Sequence, residues 1–267
     1  MTTKSFPVRQ PIHLVVRIGH GTVRVTAIDD LTEATVTLTA STGSSEMLER
    51  TTVELQGSRL AILSPRQGGI FDLRHTRSRD AVDVSVTVPS GTPVKVSSFT
   101  ADVTLTGRCG TTDIAAGTSE ITAEFVDGDL RLRTGSSQCH VERVSGSVQA
   151  RSGSGSVRFG EVGGSLTSSV GNGRLDVGVA RGAVRLRTGS GAATIGAIYD
   201  DVTIASGGGE LRLGLPSGVA AHLDLTTGSG RVDSQLPIED EAPASGRAIT
   251  IRARTGSGNV QLFRAAA

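Results

Sequence analysis

The 267 residues carry 27 Lys and Arg against 26 Asp and Glu, a net charge of +1, which leaves no electrostatic footprint for nucleic acid or an anionic membrane surface. Glycine (35) stands at about twice its usual share, proline (8) is scarce, aromatic residues make up 3% and tryptophan is absent. With abundant Val, Ile and Thr, that mixture favours tight, regular β-turns over disorder. No run approaches the roughly eighteen apolar residues of a membrane span, and residues 1–20 lack the apolar core of a signal peptide. The expectation is a soluble, cytoplasmic chain with no membrane insertion.

Residues 1–90 read as strands of uneven spacing: "HLVVRIGHGTVRVTAID" (13–29), "ATVTLTA" (34–40), "TTVELQGSRLAIL" (51–63) and "VDVSVTVPSG" (82–91). Apolar and polar residues alternate in each, the period of a half-buried strand. The stretch 64–80, "SPRQGGIFDLRHTRSRD", interrupts them with Arg66, Arg74, His75, Arg77 and Arg79 and reads as a solvated loop.

From residue 91 the chain becomes periodic. Gly117, Gly135, Gly153, Gly171, Gly189 and Gly207 recur every eighteen residues, and Gly110, Gly128, Gly146, Gly164 and Gly182 form a second series offset by seven. The unit is nine residues, and fourteen units fill 91–216 without an insertion. Position four of the unit holds Val94, Val103, Thr112, Ile121, Leu130, Cys139, Val148, Val157, Leu166 and their successors. Position six holds Val96, Leu105, Ile114, Ala123, Leu132, Val141, Ala150, Phe159, Ser168, Val177, Leu186 and theirs. Two apolar residues flanking one variable residue place both side chains on one face of a short strand.

A strand this short cannot bury its face alone, so units must stack into a solenoid. Alternate units end differently, which makes two units one coil of eighteen residues with two unlike corners. "TGSG" is one of these corners, met again in "VRLRTGSGAATI" (184–195) and "IRARTGSGNV" (251–260). Glycine suits it because a positive φ or a close backbone approach costs little there. Thr134, Ser152, Thr188 and Ser206 are expected to form a hydroxyl ladder beside it. Seven coils at about 4.8 Å give about 34 Å of rod, and the handedness rule for parallel crossovers predicts a right-handed coil.

After 216 the repeat loosens. "LDLTTGSGRVDSQLP" (223–237) and "AITIRARTGSGNVQLF" (248–263) are two further corners, separated by the acidic "IEDEAPASGR". No linker interrupts the chain. The expectation is therefore one continuous all-β domain over 1–267, a parallel β-solenoid of about eighteen residues per coil: 1–90 as less regular N-terminal strands or cap, 91–216 as regular repeats, 217–267 as looser C-terminal coils.

"SSFTADVTLTG" (97–107), the entry "VDVSVTVPSGTPVKV" (82–96), the recurring [ST]-G-[ST]-G turns and the closing "ITIRARTGSGNVQLF" together resemble the bacterial DUF4097 family of adhesin-type β-strand repeat proteins. The likeness covers most of the chain and lies in the long ordered run rather than in any one turn. It implies a β-solenoid and brings no established activity with it. The repeat logic is also similar to that of bactofilins, cytoskeletal β-helices that polymerise end to end.

Solenoids that carry chemistry leave signatures that can be checked. Calcium β-rolls also use nine-residue units, but with a recurring Asp as a hard oxygen ligand; "SGSGSVRFG" and "GGSLTSSVG" lack it. Hexapeptide acyltransferases need a period of six, which fails here. Glycan-cleaving β-helices set carboxylates under long loops; the candidates Asp113, Glu124, Glu142 and Asp176 sit on coils with no long loops and read as a solvated face. His13, His20, His75, His140 and His222 show no metal-ligand spacing, and Cys109 and Cys139 make no CxxC and read as small core or turn thiols. No G-x-S-x-G elbow or phosphate-binding loop with its helix is present.

One suggestive set remains. Arg131, Arg133, Arg151, Arg185 and Arg187 take outward positions on the same kind of unit, so stacked coils would line them up on one face able to hold an anionic ligand. The sequence thus points to a non-enzymatic interaction protein with no catalytic residues, metal or cofactor. It would act as a scaffold through surface display or end-to-end assembly, with a protein partner or its own copies. The alternative is an adhesin-like or ligand-binding module that recognises a glycan or anionic partner on the arginine face.

Overall fold

Strand alternation in the sequence becomes alternation of burial in space: β10 (Val148–Val162) runs buried, exposed, buried along its first five residues and repeats the pattern after its corner. The computed structural model describes residues 1–8, 10–40, 45–65, 81–236 and 248–265. The five cationic residues of the 64–80 loop lie outside the described residues. The chain gathers into two compact units, Met1–Ser137 and Gln138–Ala267.

The first unit contains β1 (Thr2–Pro7), β2 (His13–Ile28), β3 (Glu33–Ala40), the short helix α1 (Ser45–Arg50), β4 (Thr52–Gln56), β5 (Arg59–Leu63), β6 (Val82–Pro89), β7 (Val94–Cys109) and β8 (Thr112–Val126). β2 is the first full rung. It pairs in parallel with β7, Leu14 opposite Val94 and Val23 opposite Val103. β7 pairs in parallel with β8, Val94 opposite Thr112 and Val103 opposite Ile121, which is the eighteen-residue register. On the other side of β2, its first half takes β5 and its second half β6, again in parallel. Antiparallel strands then close the stack: β4 on β5, β3 on β6 and β1 on β3. β2 therefore starts the coil, and β5 and β6 with the antiparallel β1, β3 and β4 cover it. The cover departs from a purely parallel solenoid because an antiparallel return needs only a tight turn, whereas a parallel one needs a whole crossover. The helix α1, which buries its own Met47, was not anticipated from strand-like flanks.

β9 (Leu130–Val144) spans the division, and the second unit continues through β10, β11 (Leu166–Ala180), β12 (Val184–Thr188) with β13 (Ala192–Ile198), β14 (Val202–Gly208) with β15 (Leu211–Leu215), β16 (Ala221–Ser229) with β17 (Val232–Ser234), and β18 (Ile249–Ser257) with β19 (Val260–Arg264). Each rung has two limbs. On the first, Val148, Leu166, Val184 and Val202 stand in one parallel column; on the second, Val157, Leu175, Ala193 and Leu211 do. The eight residues of these two columns are each 1% exposed or less, which fixes the core between the limbs. Phe159, fully buried, shares its rung with the small Ala150, the large–small matching that close packing demands.

The last two rungs do not stack in chain order. β14 pairs with β18 and β15 with β19; β16 and β17 then lie on the far side of β18 and β19. The final segment of the chain is thus inserted beneath the segment that precedes it. The difference in apolar content gives a reason. Ile249, Ile251, Ala253, Val260 and Leu262 are 4% exposed or less in the inserted rung, while the outer rung offers only Leu223 and Leu225, half-buried, and Val232, 45% exposed. Placing the more apolar rung inside removes more apolar surface from water.

Corner chemistry is local. Ser152 and Ser206 donate to the carbonyls of Ser154 (3.1 Å) and Gly208 (2.7 Å), two residues on, and Thr188 accepts from the N–H of Gly191 (3.1 Å). The expected hydroxyl ladder is a column by position, and Ser152, Thr188 and Ser206 each bond within their own turn, as short polar side chains beside a turn do.

Among the described residues two buried hydroxyls, those of Ser98 and Ser168, have no hydrogen-bond partner, and Ser168 stands 2% exposed at an inward position. Ser168→Ala is therefore expected to raise stability by about 1 kcal/mol by removing an unpaired polar group. Phe159→Ala, which opens a cavity in the same unit, is expected to lower it by about 3–5 kcal/mol. Urea unfolding followed by circular dichroism checks both signs.

Candidate functional site

A strand that buries every second residue must show the others to solvent, and the column register decides which of those become neighbours. On the first limb of the second unit, the outward residues form two columns. One reads Arg151, Ser169, Arg187, Ala205, Arg254, Thr226; the other reads Gln149, Thr167, Arg185, Thr203, Arg252, Asp224. Arginine alternates with a small residue from rung to rung in the first column, so its guanidinium groups are carried about 10 Å apart, two rungs of spacing. Five arginines face one carboxylate along this limb.

Partners divide the arginines. Arg151, Arg185 and Arg187 are exposed and have no hydrogen bond or ion pair among the described residues. Arg252 and Arg254 lean on Asp224, Nε at 3.6 Å and a terminal nitrogen at 3.5 Å from its Oδ2. Ala205 leaves a shallow depression of about 480 Å³ between Arg187 and Arg254, completed by Ser206, Gly207, Thr255 and Gly256.

On the second limb four arginines are paired or stacked. Arg158 meets Asp176 at 3.5 Å. Glu161 is gripped by Arg181 and by Arg143 at 3.3 Å, and the Arg181 hydrogen bond holds its carboxyl below the usual carboxylate range. Arg181 also lies over the Tyr199 ring at 5.7 Å, and Arg212 over Phe263 at 5.8 Å. These cations are spent within the fold.

In the first unit, Arg131 is exposed with no partner among the described residues, while Arg133 donates to both oxygens of Asp113, at 3.0 and 3.3 Å, with Lys95 at 3.7 Å. Of the five arginines singled out from sequence, four are free and Arg133 is held. Arg252 and Arg254 were missed because the eighteen-residue phase ends at 216; the shared motif "RxRTGSG" in 185–191 and 252–258 was the signal that could have found them.

The other candidates resolve as framework. Glu124 accepts the Gly107 N–H at 2.6 Å, and Asp113 and Asp176 are salt-bridged, so these carboxylates stabilise rungs rather than face one another across a cleft. His20 meets the exposed Phe99 edge-on at 5.9 Å. Among the described residues no group of three or more His, Cys, Asp or Glu could hold a metal ion, and no helix is long and apolar enough to cross a membrane. Cys109 and Cys139 are buried and unpaired. Burial pushes the Cys109 thiol up to about 11, with the Glu124 charge adding to it, and burial alone pushes Cys139 up to about 12.

The sequence profile of the Toastrack DUF4097 family matches residues 13–266. The chain belongs to this family. The Toastrack fold is a β-solenoid, in agreement with the stacked rungs. Among solved structures, the chain is similar to a "putative adhesin" from Parabacteroides merdae at 12% identity and a TM-score of 0.53, covering 98% of this chain and 96% of that one. It is also similar to a "putative adhesin" from Bacteroides fragilis at 13% identity and a TM-score of 0.47, covering 98% and 96%. At such identity the likeness bears on the fold. A comparison with curated proteins finds no match.

Neutral buried thiols are poor nucleophiles. The native Toastrack chain is expected to give no reaction with Ellman's reagent at pH 8 and to release two equivalents once unfolded in guanidinium. Prompt labelling of the native protein would contradict the packing of Cys109 and Cys139.

Proposed function

We propose that this protein is a non-enzymatic display scaffold whose first limb in the second unit presents an arginine stripe to an extended acidic glycan. The observation that carries the reading is the charge of this limb: Arg151, Arg185 and Arg187 have no partner among the described residues, while Arg143, Arg158, Arg181 and Arg212 on the opposite limb are paired with carboxylates or stacked on rings. Leaving like charges in adjacent columns unpaired raises the local potential, and a polyanion lying along the limb relieves it. The limb presents no aromatic side chain, so recognition is ionic, through charges recurring in one direction, rather than by stacking on a sugar face. The shallow depression at Ala205 gives an acidic group access to Arg187 and Arg254 together with the polar edge of the corner.

Display is favoured over end-to-end polymerisation by the first unit's cover. Its edge strand β1 carries Lys4 and ends at Pro7, devices that discourage strand addition.

The test is fluorescence anisotropy with an end-labelled linear oligogalacturonate at low and physiological salt. Binding is expected, weakening as salt screens the stripe. Charge reversal in Arg185→Glu/Arg187→Glu is expected to lower affinity by about tenfold or more, while Arg158→Ala/Arg212→Ala on the opposite limb leaves it unchanged. No binding at low salt, or equal losses in both variants, would overturn the reading.

A further inference from the structure

Among the described residues the outer rung of the second unit is paired on one side only. β16 pairs with β18 on one side, and on its other side it has no partner strand among the described residues. The Ala220 carbonyl accepts from Ile249 N–H at 3.0 Å, so even-numbered residues of β16 aim their backbone groups at β18. Strand alternation then turns the N–H and C=O of Ala221, Leu223, Leu225 and Thr227 toward the open edge. The side chains beneath this edge are those the core covers least, Leu223 and Leu225, with Val232 of the other limb 45% exposed.

Nothing in β16 guards that edge. "AHLDLTTGS" holds no Lys, no Pro and no bulge, in contrast to β1 with its Lys4 and Pro7. Its sequence is also self-complementary. In an antiparallel pairing of two copies centred on Leu223, Leu223 meets its own counterpart as a hydrogen-bonded pair. That is the pair type its outward backbone groups can make. His222 of each copy then stands opposite Asp224 of the other, twice, an imidazole N–H facing a carboxylate. Ala221 meets Leu225, an apolar pair over the incomplete core.

We propose that two copies of this chain dimerise through this rung, edge to edge across a two-fold axis, with β16 pairing antiparallel in the register that sets His222 against Asp224. A two-fold contact uses the same edge on both copies and closes on itself, so assembly stops at the dimer. The proposal rests on the edge of β16 and needs none of the unpartnered arginines of the stripe; the two share only Asp224, which Arg252 and Arg254 also approach.

Sedimentation velocity of the full chain from submicromolar to high-micromolar concentration is expected to show one monomer–dimer equilibrium. His222→Asp places two carboxylates opposite each other and is expected to weaken dimerisation by about tenfold or more without changing the thermal melting of the monomer. Register is read separately by cysteine pairing. Residues facing as a non-hydrogen-bonded pair lie about 4.5 Å apart, within disulfide reach. An equimolar mixture of the His222→Cys and Asp224→Cys variants is therefore expected to form a disulfide-linked dimer under mild oxidation, and each variant alone to form several-fold less. The buried native cysteines supply a low background. A monomer at every concentration, a ladder of larger species, or equal cross-linking in the mixture and in either variant alone would overturn the proposal.

Discussion

Successive rungs approach so closely at their corners that no side chain fits between them. A methyl group added at Gly171 would lie 2.5 Å from the Gly153 carbonyl oxygen, and one at Gly189 would lie 2.7 Å from that of Gly171. The Gly189 N–H donates to that same Gly171 carbonyl at 3.0 Å, and Gly208 N–H to the Gly189 carbonyl at 2.9 Å. The corner thus works as a backbone-to-backbone clamp. Because it recurs every eighteen residues from Gly153 to Gly207, it fixes the register of both limbs, and a slip of one residue would turn every core side chain outward.

That lock turns sequence position into surface chemistry. Residues eighteen apart become neighbours in a column whatever their type, so the composition of each column decides what its face can do. On the second limb of the second unit the columns bring acids beside bases, Asp176 next to Arg158 and Glu161 next to Arg143, while Arg181 reaches Glu161 across columns. On the first limb they bring arginine next to Ser169, Ala205 and Thr203, which cannot neutralise it. Exposed ion pairs contribute little to stability, commonly about 0–1 kcal/mol each, so the contrast between limbs matters more for which face can meet a charged partner than for how firmly the rungs hold.

Much of this was legible in the sequence because the solenoid is nearly one-dimensional. The columns headed by Val148 and Val157, the eighteen-residue rung and the glycine corners follow from spacing alone, and outward arginines follow from strand alternation. Three things did not. The antiparallel cover over β2 is built from 1–90, where strands are evident but pairing partners are set by turn lengths rather than by a period. The inversion of the last two rungs breaks chain order, and only the richer apolar content of 249–262 over 221–234 hints at it. The grip of Asp113 on Arg133 crosses columns, from a residue twenty positions earlier, so the eighteen-residue rule overlooks it.

The corner clamp can be tested by the sign of a single stability change. Replacing glycine by alanine inside a strand ordinarily stabilises, by about 0.4–1 kcal/mol, where the backbone angles and the space allow it. At Gly171, φ lies outside the left-handed region, so the only obstacle to alanine is the Gly153 carbonyl. The measurement is the urea midpoint of Gly171→Ala against the unsubstituted chain. The clamp predicts a loss of roughly 1–3 kcal/mol, the cost of forcing an atom into a packed contact. A neutral or stabilising result would mean that the rungs do not meet backbone to backbone at the corner, and that something else sets their register.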